Sequence, residues 1–144
     1  MAPHDSAWSL TWVNSRKPVL CDIGCMNEKP LIDVAQEKIL SLSEETKFAA
    51  NGIVSRTLLR TANTRVVLFG FAEGQELTEH TSTQSAVVQI LSGECEFSLG
   101  GKPHTAKAGD LIYLPPNLRH AVSATKQFSM LLTLSKAETV PAKS

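Results

Sequence analysis

The chain has 144 residues, 42% hydrophobic and 19% charged, and its 14 Lys plus Arg balance 14 Asp plus Glu. That length fits one domain with enough chain to bury a core. The balanced charge, with no Lys/Arg cluster, argues against a nucleic-acid or anionic-lipid partner, and no apolar run approaches the roughly 18 residues of a membrane span.

Residues Met1–Pro30, which hold both tryptophans, show neither helical nor strand periodicity and read as an extension, disordered or loosely draped over the domain. Trp8–Val13 is too short and too interrupted by polar residues for a secretory apolar region. Lys17–Cys21 lacks the small residue that a lipid-attachment cysteine wants before it, so cytoplasm is the default expectation. Cys21 and Cys25 stand in C-x-x-x-C spacing, but no second Cys/His pair of zinc-site spacing accompanies them. Three cysteines, an odd number, do not make a disulfide framework. Met26, followed by Asn27-Glu28-Lys29, reads as an alternative translation start.

The domain proper is expected over residues 31–135. Within Leu31–Ala50, a short edge strand through Ile39, Leu40 and Leu42 is favoured over a short helix. One helical turn at Ser43-Glu44-Glu45 comes next, with Ser43 as N-cap. From Ile53 the pattern is β throughout. Ile53–Leu59 and Arg65–Phe71 are rich in β-branched and large apolar residues. Leu77–Thr81, Ala86–Leu91, Glu94–Leu99, Thr105–Lys107, Leu111–Leu114, His120–Ser123 and Phe128–Leu134 continue the series, punctuated by Gly, Pro and Asn turns. Short strands at this interval predict an all-β sandwich or barrel.

Alternation sorts the faces. Cys95, Phe97 and Leu99 point inward with Phe128, Met130, Leu132 and Leu134, while Glu94, Glu96 and Ser98 point out. Leu111–Leu114 is apolar on both faces, which predicts cover on both sides, from the N-terminal segment or from a second subunit. The polar tail, residues 136–144, cannot supply it. Glu79 and Glu96 read as solvated surface charges, and His104 as exposed beside its turn.

Two stretches carry more than fold. Gly74, His80 and Gly93 stand in the register of G-x5-H-x-H-x3-E-x6-G, and Gly109, Pro115 and His120 in that of G-x5-P-x-G-x2-H-x3-N. On these residues the chain resembles the cupin superfamily, which implies a double-stranded β-helix (jelly-roll) barrel over roughly Ile53–Leu134. The resemblance also implies a site of three histidines and a glutamate holding iron, manganese, zinc or nickel. This chain departs from it: Ser82 and Ala86 replace the second histidine and the glutamate, and Asn117 and Ala124 replace the glycine and asparagine of the second motif. His80 and His120 are therefore the candidate metal ligands. Ser82 and Gln84 join them as candidate ligand-binding residues, Gln84 by bending inward from the loop after Ser82. Two imidazoles fall short of the three or four protein ligands usual for zinc, so a small-molecule pocket is favoured over a tight metal centre. An enzyme remains the alternative, as a metal-dependent oxygenase or lyase or as an isomerase using the two histidines for acid–base work. Similar small barrels are commonly dimers, and a homodimer through Leu111–Leu114 is the expected assembly.

Overall fold

The computed structural model describes residues 29–136; the expectations for Cys21 and Cys25, for Met26 and for the two chain ends concern residues outside them. Nine strands form two antiparallel sheets among the described residues. The strands are β1 (Ile53–Arg60), β2 (Thr64–Phe71), β3 (Glu76–His80), β4 (Ser85–Ser92), β5 (Glu94–Leu99), β6 (Lys102–Lys107), β7 (Leu111–Leu114), β8 (His120–Ser123) and β9 (Phe128–Ser135). One sheet runs β1-β2-β9-β4-β7 and the other β3-β8-β5-β6. Apart from the β1–β2 and β5–β6 hairpins, every connection crosses from one sheet to the other, so the chain winds as a double-stranded β-helix.

Inward residues at period two explain why the sheets close on each other. Val67, Phe69 and Phe71 of β2 face Phe97 and Cys95 of β5, with Val88 and Ile90 of β4 and Phe128, Met130 and Leu132 of β9 completing the core. Phe71 and Phe128 stack with ring centroids 4.5 Å apart. Gly93 makes the corner from β4 into β5 at φ 77°, and a Cβ there would run into the Gln127 carbonyl and the Phe128 backbone. That position needs glycine twice over, for its dihedral and for its space.

Two expectations need correction. No strand forms over Ile39–Leu42: Ile39 is 97% exposed and finds no sheet. The open edge of β1 is instead met earlier in the chain, where the Leu31 and Ile32 amides donate to the Thr57 and Leu58 carbonyls. The single helical turn, α1 (Leu42–Glu45), starts sooner than expected because Ser41, not Ser43, is the N-cap and its hydroxyl accepts from the Glu44 amide. β7 is an edge strand whose outer side chains Leu111 and Tyr113 are 63% and 57% exposed, and the two covers expected for it, the N-terminal segment and a second subunit, lie outside the described residues. Nothing among the described residues covers them.

Strand β6 also begins earlier than its sequence suggests. Gly100 and Gly101, at φ 60° and 89°, complete the hairpin turn by themselves, so pairing runs on through Pro103 opposite Ser98. Proline is tolerated there because β6 is an edge strand.

Candidate functional site

His80 closes β3 and His120 opens β8, and the antiparallel register sets them directly opposite each other. Their rings meet edge to face, with centroids 4.4 Å apart. Each ring is fixed by its own strand end: Nδ1 of His80 lies 2.8 Å from the Thr78 carbonyl, and Nδ1 of His120 lies 2.8 Å from the Leu118 carbonyl. A carbonyl only accepts, so each Nδ1 carries the proton, and Nε2 of the neutral ring holds the acceptor lone pair.

The loops around this pair are tied together. The Asn117 amide donates to the Ser82 carbonyl at 2.7 Å, joining the β7–β8 loop to the β3–β4 loop. Asn117 sits at φ 67°, a left-handed conformation that asparagine accepts more readily than most residues. Ser82 Oγ accepts from the Gln84 amide at 3.0 Å, which folds that loop inward. Both side chains then line a partly enclosed cavity of about 30 Å³, together with His80 and His120. These are the four residues that the sequence singles out, and the barrel brings all four to one mouth.

The rest of the lining is apolar. Phe69, Phe97, Val122 and Met130 lie deeper, and Ala86, Leu114 and Leu134 stand nearer the histidines. Phe69 and Val122 are not among the sequence-derived candidates. Alternation along Arg65–Phe71 and His120–Ser123 marks them as inward, but nothing in one sequence says which inward residues bound a void. Ala86, at the position of the missing glutamate, is 5% exposed and faces this cavity. The loss therefore falls inside the site.

Electrostatics keep the pocket short of charge. Burial, offset in part by the Leu118 carbonyl, holds His120 below its ordinary value, and the adjacent His80 ring lowers it further against the pull of Glu79. Glu79 points to the outer face, as alternation requires, and pairs with Arg119 at 3.5 Å in an exposed contact. Exposed pairs of this kind contribute little. His104 is exposed on β6 opposite Phe97 and does not line the cavity.

The metal suggested by resemblance meets a poor donor set. Among the described residues no group of three or more His, Cys, Asp or Glu side chains is placed to hold an ion. Ser82 offers a neutral hydroxyl and Ala86 no donor, so the two imidazoles would need water for every remaining position. The residues present do not fit a resident metal.

Residues 67–134 match the Cupin domain family. No curated protein matches the chain. Among solved structures, a conserved Streptococcus pyogenes protein of unknown function is 29% identical over 78% of this chain and 99% of its own, with a TM-score of 0.68. A cupin superfamily protein from Desulfitobacterium hafniense is 24% identical over 71% of this chain and 94% of its own, at TM-score 0.66, and bears on fold alone. A cupin 2 conserved barrel domain protein from Leptotrichia buccalis is 36% identical over 65% of this chain and 46% of its own longer chain, at TM-score 0.63.

Proposed function

Because this chain carries a single cupin domain, we propose that it works as a small-molecule binder whose ligand docks at the His80–His120 mouth. The observation behind this reading is the paired imidazoles, each with Nδ1 spent on a backbone carbonyl, at the rim of a carboxylate-free cavity whose lining is apolar apart from the histidines, Ser82 and Gln84. Such a rim accepts hydrogen bonds. The matching ligand is an organic molecule with a hydroxyl or N–H donor head and an apolar body.

Ser82 and Gln84 supply further polar contacts, since the Ser82 hydroxyl still has its own proton to donate after accepting from Gln84. With about 30 Å³ enclosed, only the head of a larger molecule enters, and its body rests against the loops of the mouth.

A thermal-shift screen of small alcohols, phenols and amides against matched carboxylates tests this. Donor-headed compounds are expected to raise the melting temperature, and His80→Ala or His120→Ala to weaken the hit about tenfold, the worth of one hydrogen bond. Stabilisation that persists in both variants contradicts the assignment.

One observation favours a second reading, acid–base catalysis without metal. The edge-to-face ring contact at 4.4 Å places a second imidazole beside the depressed His120, so a proton taken by one ring has an adjacent acceptor. Turnover of a stabilising compound, lost in either histidine variant, would favour the isomerase over the binder.

A further inference from the structure

A strand at the end of a sheet leaves every second N–H and C=O without a ladder partner, and proteins blunt such edges with proline, lysine, bulges or a covering segment. Among the described residues, β1 and β7 bound one sheet and β3 and β6 the other. Three of these edges carry such a device. The Leu31 and Ile32 amides donate to the Thr57 and Leu58 carbonyls of β1. β3 breaks register between Leu77 and His80 and exposes Glu76 and Glu79, and β6 holds Pro103 between Lys102 and Lys107. β7 has neither charge, proline nor bulge: Leu111–Leu114 runs in unbroken register with β4.

The ladder fixes which groups of β7 are free. The Ile90 amide donates to the Asp110 carbonyl at 3.0 Å just ahead of the strand, and the same register continues through Val88 opposite Ile112 and Ala86 opposite Leu114. Hydrogen-bonded pairs alternate along an antiparallel ladder, so Ile112 and Leu114 turn their N–H and C=O towards β4. Those of Leu111 and Tyr113 turn away from it, to a side where no strand stands among the described residues.

We propose that this edge pairs with β7 of a second copy of the chain, antiparallel about a two-fold axis at Ile112. One register satisfies it fully. With Leu111 opposite the partner's Tyr113, and Tyr113 opposite the partner's Leu111, each pair exchanges two hydrogen bonds and every free group of both strands is used. Leu111 and Tyr113 also share the outer face, as residues directly opposite each other must, whereas a slip by one would set outer against inner side chains. Sliding by two residues one way brings in Pro115, which has no N–H. Sliding the other way brings in Gly109, whose amide is already given to the Ile90 carbonyl at 2.9 Å.

Self-complementarity and charge select a second copy over an unlike strand. A two-fold axis sets a strip beside its own duplicate, which like charges would resist, and Val87, Gln89, Leu111 and Tyr113 carry none. The pairing also makes two Leu–Tyr cross-strand contacts from side chains now 63% and 57% exposed. A four-residue edge makes a small interface beside the roughly 800 Å² per partner of a standard one, so the dimer is expected to dissociate on dilution.

Light scattering of the full chain over a dilution series tests the pairing, with passage from dimer to monomer expected. Tyr113→Pro removes the amide hydrogen that the pairing takes from that residue and none that β4 takes, at an edge position where proline is tolerated. The two-fold axis makes it a loss of two hydrogen bonds at once, so the dimer dissociation constant is expected to rise about tenfold or more, with the melting temperature of dilute protein held. Should the proline variant fail to fold, Tyr113→Lys, which puts a charge on the exposed edge, is expected to weaken the dimer in the same way. A monomer at every concentration up to about 1 mM overturns the proposal and leaves the edge to a different partner. So does a dimer of unchanged strength in the folded variant, or an assembly larger than two, which a two-fold joint does not build.

Discussion

The two ends of this barrel are lined by the same strands and do opposite things with them. At the closed end Phe71 and Phe128 stack at 4.5 Å, and Cys95 and Ala124 fill what remains, all at 2% exposure or less. At the mouth the same strand set presents His80, His120, Ser82 and Gln84 around a void. The difference is one of side-chain volume and of backbone satisfaction. Aromatic rings meet ring to ring at one end. At the other, Ala86 is too small to fill its position, and short loops tied by the Asn117 amide hold polar groups over the gap. Close packing is therefore concentrated at one end and open, polar-rimmed space at the other.

That contrast breaks first, if it is wrong, on stability. Phe128→Ala is expected to cost about 3–5 kcal/mol, as for a fully buried ring. His120→Ala, at a half-buried rim, should cost within about 1 kcal/mol. Chemical denaturation of the two variants measures both. Equal losses would mean that the mouth is part of the packed core.

The next effect is on pH. Because His120 in the folded chain sits below its ordinary value, the unfolded chain takes up a proton first as pH falls. Stability is therefore fully present above about 6.5, the ordinary imidazole value, and declines as pH falls from there towards the lower folded value. Melting curves from pH 8 downward should show that decline, and His120→Gln should flatten it. An unchanged slope in the variant would remove His120 as the titrating group.

The smallest effect separates the ends chemically. Burial, aided by Glu94 and Asp110, pushes the Cys95 thiol up to about 12. In native protein near neutral pH it should stay unalkylated, while denaturant exposes it. Peptide mapping after alkylation distinguishes Cys95 from Cys21 and Cys25. Rapid native labelling at Cys95 would mean that the closed end opens.

Much of this is legible in the sequence, for identifiable reasons. Strand positions follow from period-two alternation, and Gly93, Gly100, Gly101 and Asn117 all take the positive φ that their turn positions require. Leu111–Leu114 reads as apolar on both faces, which it is; that its outer face is bare among the described residues depends on what lies against the sheet, which no local pattern encodes. Ile39–Leu42 misleads because three apolar residues without alternation fit a strand or a turn equally, and the capping hydroxyl of Ser41 decides for the turn. The facing of His80 and His120 comes from resemblance. Their ring contact and the two backbone anchors need the β3–β8 register, which couples residues forty apart in the chain.

The central claim, a ligand-accepting imidazole pair without a resident metal, is tested most directly by elemental analysis. The full chain, purified without chelator, is measured beside the His80→Ala/His120→Ala double variant. The account predicts transition metal far below one ion per chain in both. One ion per chain in the unsubstituted protein, lost in the double variant, would contradict it.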